Sequence, residues 1–270
     1  MEILSEIFRE FFGIGGYKRQ PEGFLSPAHL LFVTSLLTVM TVLAVVLGKR
    51  NRRCRYEDKN RVLLGAAIAI NGFELIKIVS ECLKSGLDRI PYLLPLFLCS
   101  VQLIAIPLAA LTKGRLREAA LDFIVILGPV GALAGTYGAA QNYGCYPVLS
   151  VDNVISGLTH GISGFAALYI LTSGMASMKR HNIPITYAII LSFCIPAYVM
   201  NHLIGYNYMF LMRGDGTPYD ILFNFFKGDP VLYPLSVVLL FFIYIAAYYQ
   251  VYYLVVDARA QKRAKMLARH

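Results

Sequence analysis

Charge is the scarcest ingredient of this chain. Asp, Glu, Lys and Arg make up 15% of its 270 residues, apolar residues make up 57%, and the mean hydropathy is +0.59. Soluble domains carry roughly 25% charge. The shortfall excludes a soluble globular enzyme, a disordered chain and a collagen-like or coiled-coil rod. What charge there is bunches between long apolar stretches, the pattern of a polytopic helical membrane protein. Cysteine is sparse as well. Cys54, Cys82, Cys99, Cys145 and Cys194 form no CxxC pair, so neither a zinc ribbon nor a thioredoxin-like redox motif is indicated. HExxH and HxxxH are absent, which weakens a zinc-hydrolase reading. The last apolar run holds no Lys, which argues against a retinal Schiff base. A basic leader is missing too: Glu2, Glu6 and Glu10 precede the first apolar run, so no cleavable signal peptide is expected. No repeat of 20–50 residues and no low-complexity tract is visible.

What is present is a series of apolar runs. A bilayer core of about 30 Å needs about 20 apolar residues of helix. Seven runs qualify, at 28–48, 62–83, 91–112, 118–142, 153–177, 183–209 and 230–256. They are long and unbroken, so a β-barrel of short alternating strands is disfavoured. The expected fold is all-α, a seven-transmembrane-helix bundle. Of the 25 Lys and Arg, 17 fall on segments that face inside if the N-terminus is out, and seven on the outer segments. That bias predicts an N-out, C-in orientation. It also accounts for the net charge of +9 without any nucleic-acid partner. The expected parts are an outer segment (1–27), the membrane domain (28–256) and a basic cytoplasmic tail (257–270). Residues 2–13 gather Ile3, Leu4, Ile7, Phe8, Phe11 and Phe12 near one helical face, which predicts an amphipathic helix on the membrane surface. The 210–229 connection has turn residues at 214–218 and then an apolar stretch, and is read either as a cover over a pocket or as a loop resting on lipid.

Polar groups inside a span are costly, so each is a functional candidate. The second run carries Asn71, Glu74, Lys77 and Glu81 on one helical stripe. Glu74 and Lys77 are expected to pair, either as part of a site or as a plain packing contact. The third run holds Cys99 and Gln102, the fifth His160, and the sixth Asn201, His202 and Asn207. At 1.5 Å per residue, Cys99, His160 and His202 lie about 10–12 Å below the outer surface, and Glu74 slightly deeper. A thiolate is the reactive form of cysteine, and a nearby imidazole can take the thiol proton. Glu74 or His202 could orient that imidazole. A water-poor site of this kind suits acyl transfer between lipids, because hydrolysis competes less there. A buried cysteine is also often just a small hydrophobe. Small-xxx-small pairs, Gly131 with Gly135 and Gly157 with Gly161, are read as helix-packing surfaces.

The order Leu94-Pro95-Leu96-Phe97-Leu98-Cys99-Ser100, Thr159-His160-Gly161 and Gly205-Tyr206-Asn207-Tyr208-Met209-Phe210-Leu211 resembles the YwaF-like integral membrane family of bacteria, over residues 60–250. That family is similar to a vertebrate transmembrane acyltransferase that moves polyunsaturated acyl chains onto lyso ether phospholipids. The resemblance implies that Cys99 and His160 are the active pair. Bacterial relatives often have His two residues before the Cys, where this chain has Phe97. Any role of that His in activating the thiol is then either lost or moved to His160.

The sequence thus points to a membrane acyltransferase or transacylase of the cell membrane, by implication a bacterial plasma membrane. Catalytic Cys99 and His160 would be supported by Glu74, Lys77, Gln102, Asn201, His202 and Asn207. The expected partners are phospholipid or lysolipid substrates and the membrane itself. No cofactor and no metal are expected, and the sequence leaves the oligomeric state open. The alternatives are a transporter or lipid-binding protein lined by the polar stripe, a scaffold in which the polar residues only lock helices, and a metal-dependent lipid hydrolase using Cys99, His160 and His202.

Overall fold

A computed structural model describes residues 2–267 of the chain, with side chains over residues 6–256. The described residues are helical and contain no strand. The α-helices are α1 (Glu2–Phe12), α2 (Pro27–Asn51), α3 (Tyr56–Ser85), α4 (Gln102–Leu111), α5 (Gly114–Ala134), α6 (Ala140–Cys145), α7 (Val151–Ser173), α8 (Ile183–Ile204), α9 (Asp220–Phe225) and α10 (Leu232–Leu267). The chain divides into two compact units, residues 1–176 and 177–270. Helix ends follow the local chemistry. Ser26 and Ser150 cap α2 and α7 by accepting from the backbone N–H groups of His29 and Asn153. Pro27 opens α2, where a missing N–H costs nothing. Helix α8 stops at Gly205, whose φ of 67° is the left-handed conformation that ends helices at low cost only for glycine.

In the first unit, α2, α3 and α5 all pack on α7, and α4 lies against α3 and α5. Helix α5 supplies the centre, with Ala119 to Ile126 buried without interruption. The glycines of α7 make room for its neighbour α2. A side chain at Gly157 would press on Phe32 and Leu36, and one at Gly161 on Met40. These two glycines are therefore packing surfaces, as their spacing suggests. The outward faces carry Leu31, Ile68, Leu75 and Leu83, each more than 60% exposed. Such a surface belongs in hydrocarbon, where helices satisfy their own backbone groups. In the second unit α10 packs on α8 and α9. Tyr187 stacks on Phe242 with ring centroids 4.4 Å apart, and the Tyr249 and Thr186 hydroxyls are 3.2 Å apart.

Five helical stretches are long and apolar enough to cross a membrane: Pro27–Asn51, Tyr56–Ser85, Val151–Ser173, Arg180–Ile204 and Leu232–Val256. They correspond to five of the seven expected runs. The run at 118–142 corresponds to α5, which has 21 residues but begins among Arg115, Arg117 and Glu118 and buries Asp122. The run at 91–112 departs from expectation, because it is not one helix. A 3-10 turn (Leu87–Tyr92), an irregular stretch with bends and a second 3-10 turn (Leu98–Val101) precede the ten-residue α4. Pro91 and Pro95 are the cause, since a proline removes a donor and pushes the residue before it out of the α region.

The amphipathic N-terminal segment does form a helix. Ile7 and Phe8 of α1 stand exposed, while Glu6 and Glu10 hold the chain that follows. Glu6 accepts from the Lys18 ammonium at 2.7 Å, and Glu10 accepts from the backbone N–H groups of Lys18 and Arg19 at 3.1 Å. The basic tail expected at 257–270 lies outside the residues whose side chains are described.

Candidate active site

Cys99 sits where the proline-broken segment turns back into helix. Phe97 is extended, its carbonyl accepts from the Ser100 N–H at 2.9 Å, and the 3-10 turn then feeds α4. The turn leaves Cys99 exposed at the chain surface, while Ser100, Val101 and Gln102 are buried behind it. A continuous helix through 91–112 would instead have left the thiol as one more residue along a packed face.

His160 projects from the middle of α7 and is half-buried. Its ring occupies the space above Gly135, at the end of α5. A Cβ on Gly135 would stand 2.0 Å from Cε1 and 2.1 Å from Nδ1 of His160. Gly135 thus forms the seat of an imidazole, a use that its spacing from Gly131 did not reveal.

Helix α3 brings the ion pair. Lys77 Nζ lies 3.4 Å from Glu74 Oε1, with both side chains partly buried. Lys77 is close enough to act electrostatically on both Cys99 and His160, and Glu74 acts on Cys99. Asn71, one turn earlier, donates to the carbonyls of Ala67 and Leu103 at 3.0 Å and pins α3 to α4. Gln102 is 2% exposed, and neither its amide oxygen nor its nitrogen has a hydrogen-bond partner. Four elements of the first unit therefore contribute to one neighbourhood: α3, the turn into α4, the end of α5, and α7. Among the described residues no hydrogen bond joins Cys99 to His160.

The site residues expected from the sixth run lie in the second unit, where they serve the loop after α8. Asn201 is fully buried, donates to the Tyr208 carbonyl at 3.0 Å and accepts from its N–H at 2.6 Å. Asn207 donates to the Arg213 carbonyl and the Asp215 carboxylate, and accepts from the Met212 N–H at 2.9 Å. Together they hold Met209 and Phe210 at positive φ, with the Phe210 carbonyl accepting from Tyr233 at 2.7 Å. His202 is exposed. It stacks near Tyr198 and bonds the Tyr198 carbonyl through Nδ1 at 2.9 Å. Among the described residues no three His, Cys, Asp or Glu side chains are grouped to hold a metal ion.

One polar cluster escaped the sequence reading. Asp152, at the start of α7, accepts from Lys84 at 2.9 Å through both oxygens and from Tyr17 at 2.5 Å. Glu81 lies 2.5 Å from the same ammonium, and the rings of Tyr17 and Tyr146 flank it at 5.8 and 5.7 Å. Burial and the Asp152 carboxylate hold the Tyr17 phenol well above its ordinary pKa. The three-residue spacing of Glu81 and Lys84 was a visible signal for part of this cluster. Its partners come from 68 and 135 residues away, so no local pattern announces them. His29 was likewise unmarked. It is fully buried, accepts from the Leu25 N–H at 3.0 Å, donates to the Thr136 carbonyl at 3.2 Å and stacks on Tyr143.

The fold and these polar groups define a multi-pass helical membrane protein with a thiol, an imidazole and an ion pair gathered within one helical unit. The chain belongs to the TMEM164 family, whose family model matches residues 24–260. Comparison with curated proteins and with solved structures finds no match.

Proposed function

We propose that the protein is a lipid acyltransferase or transacylase acting through Cys99 and His160. The observation that carries this reading is Lys77. Paired with Glu74 at 3.4 Å, it lies in the same helical unit as the exposed Cys99 thiol and the His160 ring seated over Gly135, and it bears electrostatically on both. The resemblance of the Cys99, His160 and 205–211 motifs to the YwaF-like family, and through it to a transmembrane acyltransferase of ether phospholipids, points the same way.

In the first half-reaction Cys99 Sγ attacks the acyl carbonyl carbon of a donor ester. The C–S bond forms and the ester C–O bond breaks. The thiol proton passes to His160 and on to the departing lysolipid oxygen. In the second half a lysolipid hydroxyl attacks the thioester, the C–O bond forms and the C–S bond breaks. The hydroxyl proton returns through His160 to the sulfur. The pair is not hydrogen-bonded at rest, and such contacts often tighten only around substrate. Glu74 and Lys77 set the field around the pair. Within the second unit, Asn201 and Asn207 shape the loop at 205–215.

The same reading has the chain cross a bacterial plasma membrane seven times, N-out and C-in. Residues 87–111 form a broken third crossing and α5 is the buried fourth. Irregular backbone at membrane depth is tolerated where it lines a site. Phospholipid and lysolipid enter from the bilayer. The test is acyl transfer by purified protein in lipid vesicles. Cys99→Ala should abolish it, and His160→Ala should lower it about 10²–10⁴-fold, the usual scale of general-base catalysis. Full transfer by a folded Cys99→Ala variant overturns the mechanism.

A further inference from the structure

We propose that Gln102 is the polar anchor for the reacting ester: its amide N–H₂ donates to the acyl carbonyl and its amide oxygen accepts from the hydroxyl of the incoming lysolipid. The inference rests on the acyl-transfer reading of Cys99 and names the residue that positions the substrate there.

Two observations carry it. Gln102 is 98% buried, yet its side-chain oxygen and nitrogen both lack a partner. A buried amide without hydrogen bonds is a standing cost to the fold, and native proteins keep such groups where something else satisfies them. An apolar side chain of the same size would pack as well at no such cost. The retained amide therefore points to a ligand that brings both an acceptor and a donor.

The second observation is register. Val101 and Gln102 have φ, ψ of −57°, −29° and −67°, −25°, which continues the 3-10 turn begun at Leu98. In a 3-10 helix side chains three apart eclipse. Register thus sets Gln102 one turn from Cys99 on the same face, with Cys99 exposed and Gln102 buried. An ester approaching from the open side meets the sulfur first and can lay its carbonyl toward the amide. A lysophospholipid offers a free hydroxyl for the amide oxygen, which a fully acylated lipid does not.

The test uses the full chain in nanodiscs. Gln102→Met keeps the length and volume of the side chain and removes its polar atoms. Thioester formation on Cys99 is followed by intact mass after mixing with a p-nitrophenyl acyl ester. Thermal unfolding is measured with and without 1-acyl lysophosphatidylcholine. The expected result is about a hundredfold slower acylation, the scale of losing one oxyanion donor. The expected melting temperature without ligand equals or exceeds that of the unaltered protein, and the lysolipid-induced rise is lost. A lowered melting temperature in Gln102→Met would mean that the amide is structural, and an unchanged acylation rate would mean that it does not meet the ester. Either result overturns the proposal. If the unaltered protein forms no adduct at all, the thioester reading fails instead. The lysolipid-induced rise, present in the unaltered protein and absent in Gln102→Met or equal in both, still decides the role of Gln102.

Discussion

At the scale of single residues, His160 depends on a missing side chain. Gly135 has φ −79°, a conformation open to any residue, so what it contributes is space. Gly135→Ala would place a methyl 2.0–2.3 Å from three ring atoms, and the imidazole must leave its seat. We expect transfer activity to fall about as far as in His160→Ala, on the order of 10²–10⁴. The circular dichroism spectrum and the labelling of Cys99 by a thiol reagent should stay unchanged. Wild-type activity in Gly135→Ala would mean that the seat is not where His160 works. The candidate thiol and imidazole were legible in the sequence, because ionisable groups stand out against apolar runs. The seat was not, because a glycine that admits a ring looks the same as one that admits a helix. Gly135 admits the ring of His160, whereas Gly157 and Gly161 admit α2.

At the scale of elements, the start of α7 is tied to the end of α3 and to the N-terminal segment by one buried cluster. Asp152 takes hydrogen bonds from Lys84 and Tyr17 together, and Glu81 sets a second carboxyl against the same ammonium. Burial first, and the Asp152 carboxylate second, raise the Tyr17 pKa above its ordinary 10.0. The sign follows from which form the fold favours. The neutral phenol is favoured in the folded state, so its contribution is complete below pH 10 and is lost as pH rises beyond it. Thermal stability should therefore fall more steeply between pH 9 and 11 in the unaltered protein than in Tyr17→Phe. Parallel curves would show that the phenol adds nothing. At this scale the sequence was a partial guide. Helices α2, α3, α7, α8 and α10 could be read from length and hydropathy. The broken segment before α4 could not, because its composition is as apolar as a span and only Pro91 and Pro95 mark the interruption. That interruption is what exposes Cys99.

For the whole molecule, the claim is that charge sets direction. Seven basic residues between Lys49 and Arg61 mark one side, and Cys54 lies exposed among them. Cys145 is exposed at the end of α6, in a segment proposed to face the other side. With the remaining cysteines replaced by serine, an impermeant maleimide should label Cys145 in intact cells, and Cys54 only after the membrane is opened. The reverse pattern would invert the topology and move the site to the inner leaflet. The proposed direction rests on a count of charges along the chain. The grouping of helices in the first unit could not be read from the sequence, since α5 supplies its core while carrying Arg115, Arg117, Glu118 and Asp122. The central claim is covalent chemistry at Cys99, and trapping the intermediate tests it most directly. The unaltered protein is incubated with phospholipid and no acceptor, denatured in acid and digested for mass spectrometry. The account predicts a peptide containing Cys99 that carries one acyl chain in hydroxylamine-sensitive linkage. Transfer activity in the unaltered protein with acyl mass on no cysteine, or with equal rates in Cys99→Ala, would contradict it.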